Sequence, residues 1–197
     1  MRRAKLGDVY AIHVQNGYKI YQWAYHIRNW GKYIRVFDGL YDSIPENITE
    51  IAQGEHSYII GFDASRAYRI GLAQFIGNVP VPDRFPFPQY RMDFWKHALD
   101  DNFVMWIRPT PTNPDENINA IYSFNVSCMG DLPPEFRGVK LLDSTMSPAW
   151  LLYLFDYNFS LSNLMLFWPQ HTLGNNNEAI MGSYQGRVAK LMNPDKM

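Results

Sequence analysis

Apolar and polar positions alternate from Gly7 to Asp38 in the pattern of a three-stranded antiparallel meander. Val9 to Val14 reads as the first strand. Asn16-Gly17 supplies the turn, because a type I′ hairpin needs positive φ at both central residues and Asn-Gly tolerates it. Tyr18 to Arg28, dense in aromatic and β-branched residues, is the return strand. Asn29 to Lys32 turns again, and Tyr33 to Asp38 completes the sheet. On strict alternation Tyr21, Trp23, Tyr25 and Ile27 share one face.

Beyond the meander the period changes. Ser43 reads as an N-cap with Glu46 as its capping-box partner and Pro45 in the first turn. Ile44, Ile48, Ile51 and Ala52 then recur at helical spacing until Gly54. Ser57 to Phe62 reads as a short strand, and Gly71 to Pro80 as a strand leading into a turn. Prolines at 80, 82, 86 and 88 exclude a central strand or helix interior, so this segment crosses the surface in extended form. Asp93 to Leu99 is expected to be a short helix, and Phe103 to Arg108 and Ile118 to Ser127 strands, separated by a turn-rich stretch from Pro109 to Pro114. From Leu132 onward the pattern turns helical. Ser147-Pro148 opens a helix from Ala149 to Tyr157 that is apolar on nearly every side, hence buried. Leu164 to Trp168 suggests a strand ended by Pro169. Asn177 caps a last helix with Ile180, Tyr184, Val188 and Leu191 on one stripe, closed by Pro194 and weakened by Gly182 and Gly186.

These elements predict one α+β domain over residues 1–197. It is β-rich, with a curved, barrel-like N-terminal meander and its helices mainly in the last third. An apolar content of 47% in 197 residues is enough for a sizeable core. The run from Ala149 to Trp168 contains Asp156, Asn158 and Asn163, and a central Asp costs about 2.5–3.5 kcal/mol on insertion scales, so a buried helix is expected there rather than a membrane span. The basic start, Met1 to Leu6, has no apolar stretch behind it and does not read as a secretory signal. With Cys128 as the single cysteine, no intramolecular disulfide forms and a cytoplasmic location is expected.

Catalytic chemistry finds little footing. His13, His26, His56, His97 and His171 show no metal-ligand spacing, although His13 and His26 lie on consecutive strands. Cys128 has no second thiol for a zinc cluster, and no Gly-x-Ser-x-Gly elbow occurs. Asp38, Asp42, Asp63, Asp93 and Asp100-Asp101 fit strand-end turns, where Asp is favoured, better than paired catalytic acids. No enzyme activity and no cofactor are expected. A net charge of −1 argues against a broad nucleic-acid surface, yet Arg28, Lys32 and Arg35 interleave with Tyr25, Trp30 and Tyr33 as a small nucleic-acid or modified-protein reader would require.

Aromatic residues reach 16%, and each ring buries ~150–250 Å², enough to dominate a core or an interface. Gly7-Asp8-Val9-Tyr10-Ala11-Ile12, the hairpin with Tyr18 and Tyr21, Val36-Phe37-Asp38, Ser43-Ile44-Pro45, Gly61-Phe62-Asp63 and Ile76-Gly77-Asn78-Val79-Pro80 follow in an order that resembles the Immunity protein 26 family of bacterial polymorphic-toxin systems. The similarity covers roughly residues 5–110; residues 111–197 read as a C-terminal elaboration with two helices. The resemblance implies a non-enzymatic antidote that binds a cognate protein toxin and masks it, with no catalytic residue to carry over. Candidate partner-binding residues are Trp23, Tyr25, Trp30 and Arg35 on the meander, with Tyr41 and Asp42 just after it.

Overall fold

The computed structural model describes residues 3–27, 31–96, 103–110, 122–125, 132–159 and 177–192. The meander forms as β1 (Asp8–Val14), β2 (Gly17–Ile27) and β3 (Gly31–Val36). Its first turn differs from expectation. Val14 pairs with Gly17, so Gln15 and Asn16 form the loop, and positive φ falls on Gly17 (136°) rather than on Asn16. The requirement for glycine comes from a crossing chain. Tyr18 and Tyr41 exchange backbone hydrogen bonds of 2.7 and 3.1 Å, and a Cβ on Gly17 would collide with the Tyr41 carbonyl.

The alternation along β2 also breaks. The β2–β3 register shifts between Trp23 and Tyr25, a bulge that turns the following residues to the opposite face. Tyr21 and Trp23 therefore pack in the main core, while Tyr25 and Ile27 lie with Tyr33, Ile59, Leu141 and Phe87 on the other side.

The chain continues through α1 (Ile48–Gln53), β4 (Tyr58–Gly61), α2 (Ala64–Arg69), β5 (Ala73–Asn78), β6 (Tyr90–Lys96), β7 (Phe103–Pro109), β8 (Tyr122–Asn125), β9 (Leu141–Thr145), α3 (Pro148–Asp156) and α4 (Asn177–Met192). The strands make one nine-stranded sheet in the order β5-β1-β2-β3-β4-β9-β6-β7-β8, open rather than closed into a barrel. β9 runs parallel to both β4 and β6; the other pairings are antiparallel.

Both faces of the sheet are covered around β1 to β4. On one side Tyr10, Ile12, Ile34, Val36, Tyr58 and Ile60 meet α2, α3 and α4 through Ala64, Leu151, Phe155 and Tyr184. On the other Val9, Ala11, Ile20 and Phe37 meet α1 through Ala52 and Ile48. The protein is thus a mixed α+β domain; among the described residues two one-turn-scale helices come early and two longer ones lie in the last third.

Several boundaries depart from the pattern-based reading. α1 starts at Ile48, capped by Asn47, whose side chain accepts from Glu50 N (3.3 Å) and donates to Glu50 Oε2 (2.6 Å); Ser43 and Glu46 do not cap it. α2 has no counterpart in that reading; Asp63 caps it by accepting from Ser65 N and Arg66 N. Residues 90–96 are a strand where a helix from Asp93 was expected, because pairing with β7 from Tyr90↔Pro109 to Lys96↔Phe103 outweighs local preference. β9 stands where the pattern turned helical. α3 matches expectation, with Ser147 accepting from Trp150 N and Leu151 to Phe155 buried. On α4 the buried stripe is Met181, Tyr184 and Val188, whereas Leu191 is exposed. The strand expected at Leu164 to Trp168 lies outside the described residues, as do residues 118–121 and 126–127 of the strand expected from Ile118 to Ser127, and Trp30, His97, Cys128 and His171. Among the described residues no helix is long and apolar enough to cross a membrane.

Candidate partner-binding site

Arg35, expected to face a partner, is the largest fully buried side chain of the described residues, with 0% exposure. Tyr33 and Arg35 point to the α1 side of β3, and there the guanidinium meets the end of that helix. Its Nη1 donates to Ala52 O (3.1 Å) and Gln22 Oε1 (3.0 Å), its Nη2 to Gly54 O (2.9 Å), and its Nε to His56 Nδ1 (3.3 Å). Its flat faces lie against Phe85 and Phe37, 4.3 and 5.2 Å from the ring centres. The carbonyls at the negative end of α1 thus take the place of a carboxylate. Burial pulls the guanidinium below its ordinary pKa, and pulls His56 down to about 4, helped by the neighbouring positive charges of Arg35 and Lys140.

The lattice extends outward. Gln22 Nε2 donates to Val79 O (2.6 Å), and buried Asp8 accepts from Lys5 N (2.8 Å), Asn78 Nδ2 (2.8 Å) and Tyr10 OH (3.2 Å). β1, β2, β3, β5 and α1 are cross-tied by polar contacts that water cannot easily replace.

The remaining candidates scatter. Trp23, 8% exposed, belongs to the core and donates its indole N–H to Tyr25 O (3.1 Å). Tyr25 is half-buried, donating from its hydroxyl to Phe85 O (2.8 Å). Tyr41 is half-buried beside Tyr18, and Asp42 is exposed, both at the hairpin end of the meander. His13 pairs with Tyr18 and His26 with Lys32, at opposite ends of β2, so the two histidines do not converge. Among the described residues no three of His, Cys, Asp and Glu come close enough to hold a metal ion.

What the fold does assemble is a basic recess of about 370 Å³ at the far end of β2, lined by Arg3, Ala4, Trp23, His26, Lys32, Ser65, Tyr68 and Arg69. Three elements converge there: the N-terminal segment, the β2–β3 ladder and α2. Lys32 is fixed in place, donating from Nζ to Asp63 Oδ1 (2.9 Å) and Ser65 Oγ (3.0 Å) and lying 5.2 Å from the centre of the Trp23 ring. Partial burial opposes ionisation of Asp63, but hydrogen bonds from Ser65 and Lys32 outweigh it and hold the carboxyl below its usual range. Arg3 and Arg69 are exposed, and neither has a hydrogen-bonding or ionic partner among the described residues. The recess is positively charged, with the aromatic rings forming its wall. Its α2 contribution escapes the pattern-based reading, although Asp63-Ala64-Ser65 followed by Arg66 and Arg69 carries a helix-capping signal and a basic turn.

Comparison with family models, curated proteins and solved structures finds no match to this chain.

Proposed function

We propose that the chain is an immunity protein that neutralises a bacterial polymorphic toxin by stoichiometric binding and steric masking. The observation that carries this reading is the pairing of a rigid scaffold with an open charged recess. The Arg35–Gln22–His56 lattice and the tyrosine and asparagine ties to Asp8 hold the meander in one shape. A preorganised surface spends little conformational entropy on association, which is what a tight antidote covering about 800 Å² of its target needs. The residue order that resembles the Immunity protein 26 family points the same way. Trp23 and Arg35 act in this scheme as internal supports, so contact with the target falls to residues around the recess.

The test is co-expression with the toxin domain encoded beside the gene. Growth is restored, and the two chains co-elute from size exclusion in equal amounts. An absent neighbouring toxin gene, or arrest that persists with the chain fully expressed, refutes the reading.

A second reading, a nucleic-acid binding module, is favoured by the cations and rings of the recess together. Salt-sensitive retention of host RNA by purified protein, with no protein captured, would select it.

A further inference from the structure

We infer that the recess between the N-terminal segment, β2–β3 and α2 is a carboxylate-binding site that receives an acidic segment of a protein partner. This deepens the immunity reading and rests on it for the partner's identity, not for the site's chemistry. Lys32 is immobilised by Asp63, Ser65 and the Trp23 ring, so its charge is largely met within the protein. Arg3 and Arg69 are not met in this way. They line the same cavity, exposed, with no acceptor among the described residues. Guanidinium groups are forked donors suited to carboxylates, which they bind through two parallel hydrogen bonds.

Shape favours a protein acid over a nucleic acid. The cations converge on one cavity of about 370 Å³, room for one or two side chains, rather than running in a stripe along a backbone. The ring surface is also limited. Trp23 is nearly buried beneath Lys32, and Tyr68 is partly buried against Tyr10 at 6.0 Å, which leaves less open ring area than the stacking of successive bases uses. An Asp or Glu entering the recess finds two unpaired forks, with the Trp23 and Tyr68 walls excluding part of the water that would weaken the contact.

The experiment measures binding of fluorescein-labelled hexaglutamate to the full chain by anisotropy, with hexaglutamine and a single-stranded RNA oligonucleotide as comparators. The variant is Arg3→Glu/Arg69→Glu, which leaves the Lys32–Asp63–Ser65 contacts in place; its circular dichroism and melting curve are expected to match wild type. Hexaglutamate binds wild type, weakens as ionic strength rises, and binds the variant at least about tenfold more weakly. Hexaglutamine does not bind. No binding of hexaglutamate by wild type, or equal binding by the variant, overturns the inference. Tighter binding of the RNA through the same arginines overturns the assignment to a protein partner. Full protection against the toxin by the double variant overturns the recess as the contact while the immunity reading stands. Arginine-dependent hexaglutamate binding by a chain that protects no cell supports the site and removes the immunity reading instead.

Discussion

His56 makes the fold measurably sensitive to mild acid. Its Nδ1 accepts from the Arg35 Nε–H, which can only donate, so the ring is neutral with its proton on Nε2. Around it stand Arg35 on β3, Lys140 ahead of β9, whose Nζ donates to the His56 carbonyl (2.8 Å), and the exposed Glu55, paired to Lys140 at 3.1 Å. The Phe85 ring closes the outer side edge-on at 5.2 Å. Burial first, then the two cations, lowers the histidine pKa from 6.5 to about 4. The unfolded chain therefore takes up a proton between those values that the folded chain refuses. Stability is at its full value above pH about 6.5, declines as pH falls to about 4, and is flat below that as far as this group is concerned. At about 1.4 kcal/mol per pH unit the window corresponds to at most about 3.5 kcal/mol; access of water at the edge of the site reduces this to about 2. Glu55 and Asp63, both held below their usual range, add losses of their own at the acid end, so the histidine contribution is taken as a difference between proteins. His56→Asn keeps an acceptor near the Nδ1 position and cannot titrate. Urea unfolding of both proteins from pH 7.5 to 4 then shows the wild type losing about 2 kcal/mol more than the variant. Parallel stability curves, or an imidazole that titrates near 6.5 in the folded protein by NMR, would refute the reasoning.

Three further outcomes follow from the packing. Arg35→Met leaves the Ala52 and Gly54 carbonyls, Gln22 Oε1 and His56 Nδ1 buried without their donor and costs about 3 kcal/mol or more, read from the urea midpoint; Arg35→Lys, lacking the fork, recovers only part of it. Gly17→Ala drives a Cβ into the Tyr41 carbonyl at φ 136° and costs about 1–3 kcal/mol, with faster hydrogen exchange at the Tyr18 and Tyr41 amides, whereas Gly31→Ala, at φ 106° with nothing within 4 Å, bears backbone strain alone and destabilises less. Asn158 ends α3 at φ 51° and accepts from the nearly buried Lys19 Nζ, so Asn158→Ala lowers stability by about 2 kcal/mol, while Asn158→Gly relieves the backbone and is the less destabilising of the two, read from the urea midpoint.

Local signals in the chain spoke clearly for elements built from neighbouring residues. The meander, β5, β7 and α3 follow from strand alternation and the Ser147-Pro148 cap, and their boundaries match within a residue or two. β6 was legible as well: Tyr90, Met92 and Phe94 alternate with Arg91 and Asp93 at a period of two, a signal hidden by the aspartate-led helix reading. β9 was not. Leu141–Thr145 is five residues long, and its partners Ile59, Ile60, Arg91 and Met92 are remote in sequence, so no local pattern announces it. The candidate site suffered from the same blindness. An aromatic and an arginine on a strand look alike whether they face a partner or a helix end, and the bulge between Trp23 and Tyr25 reverses the parity on which that decision rests. Arg3 and Arg69 were invisible for another reason: they are remote in sequence, and only the fold brings Arg3 beside α2.

The parallel insertion of β9 between β4 and β6 has a consequence during synthesis. A nascent chain that has emerged only as far as residue 110 carries two raw strand borders where β9 will sit, and lacks the α3 and α4 cover for Tyr58, Ile60 and Phe62. Such borders recruit any other extended chain, their own copies included. The last third is therefore the keystone of the sheet, and truncation at that point yields aggregate instead of a smaller folded domain.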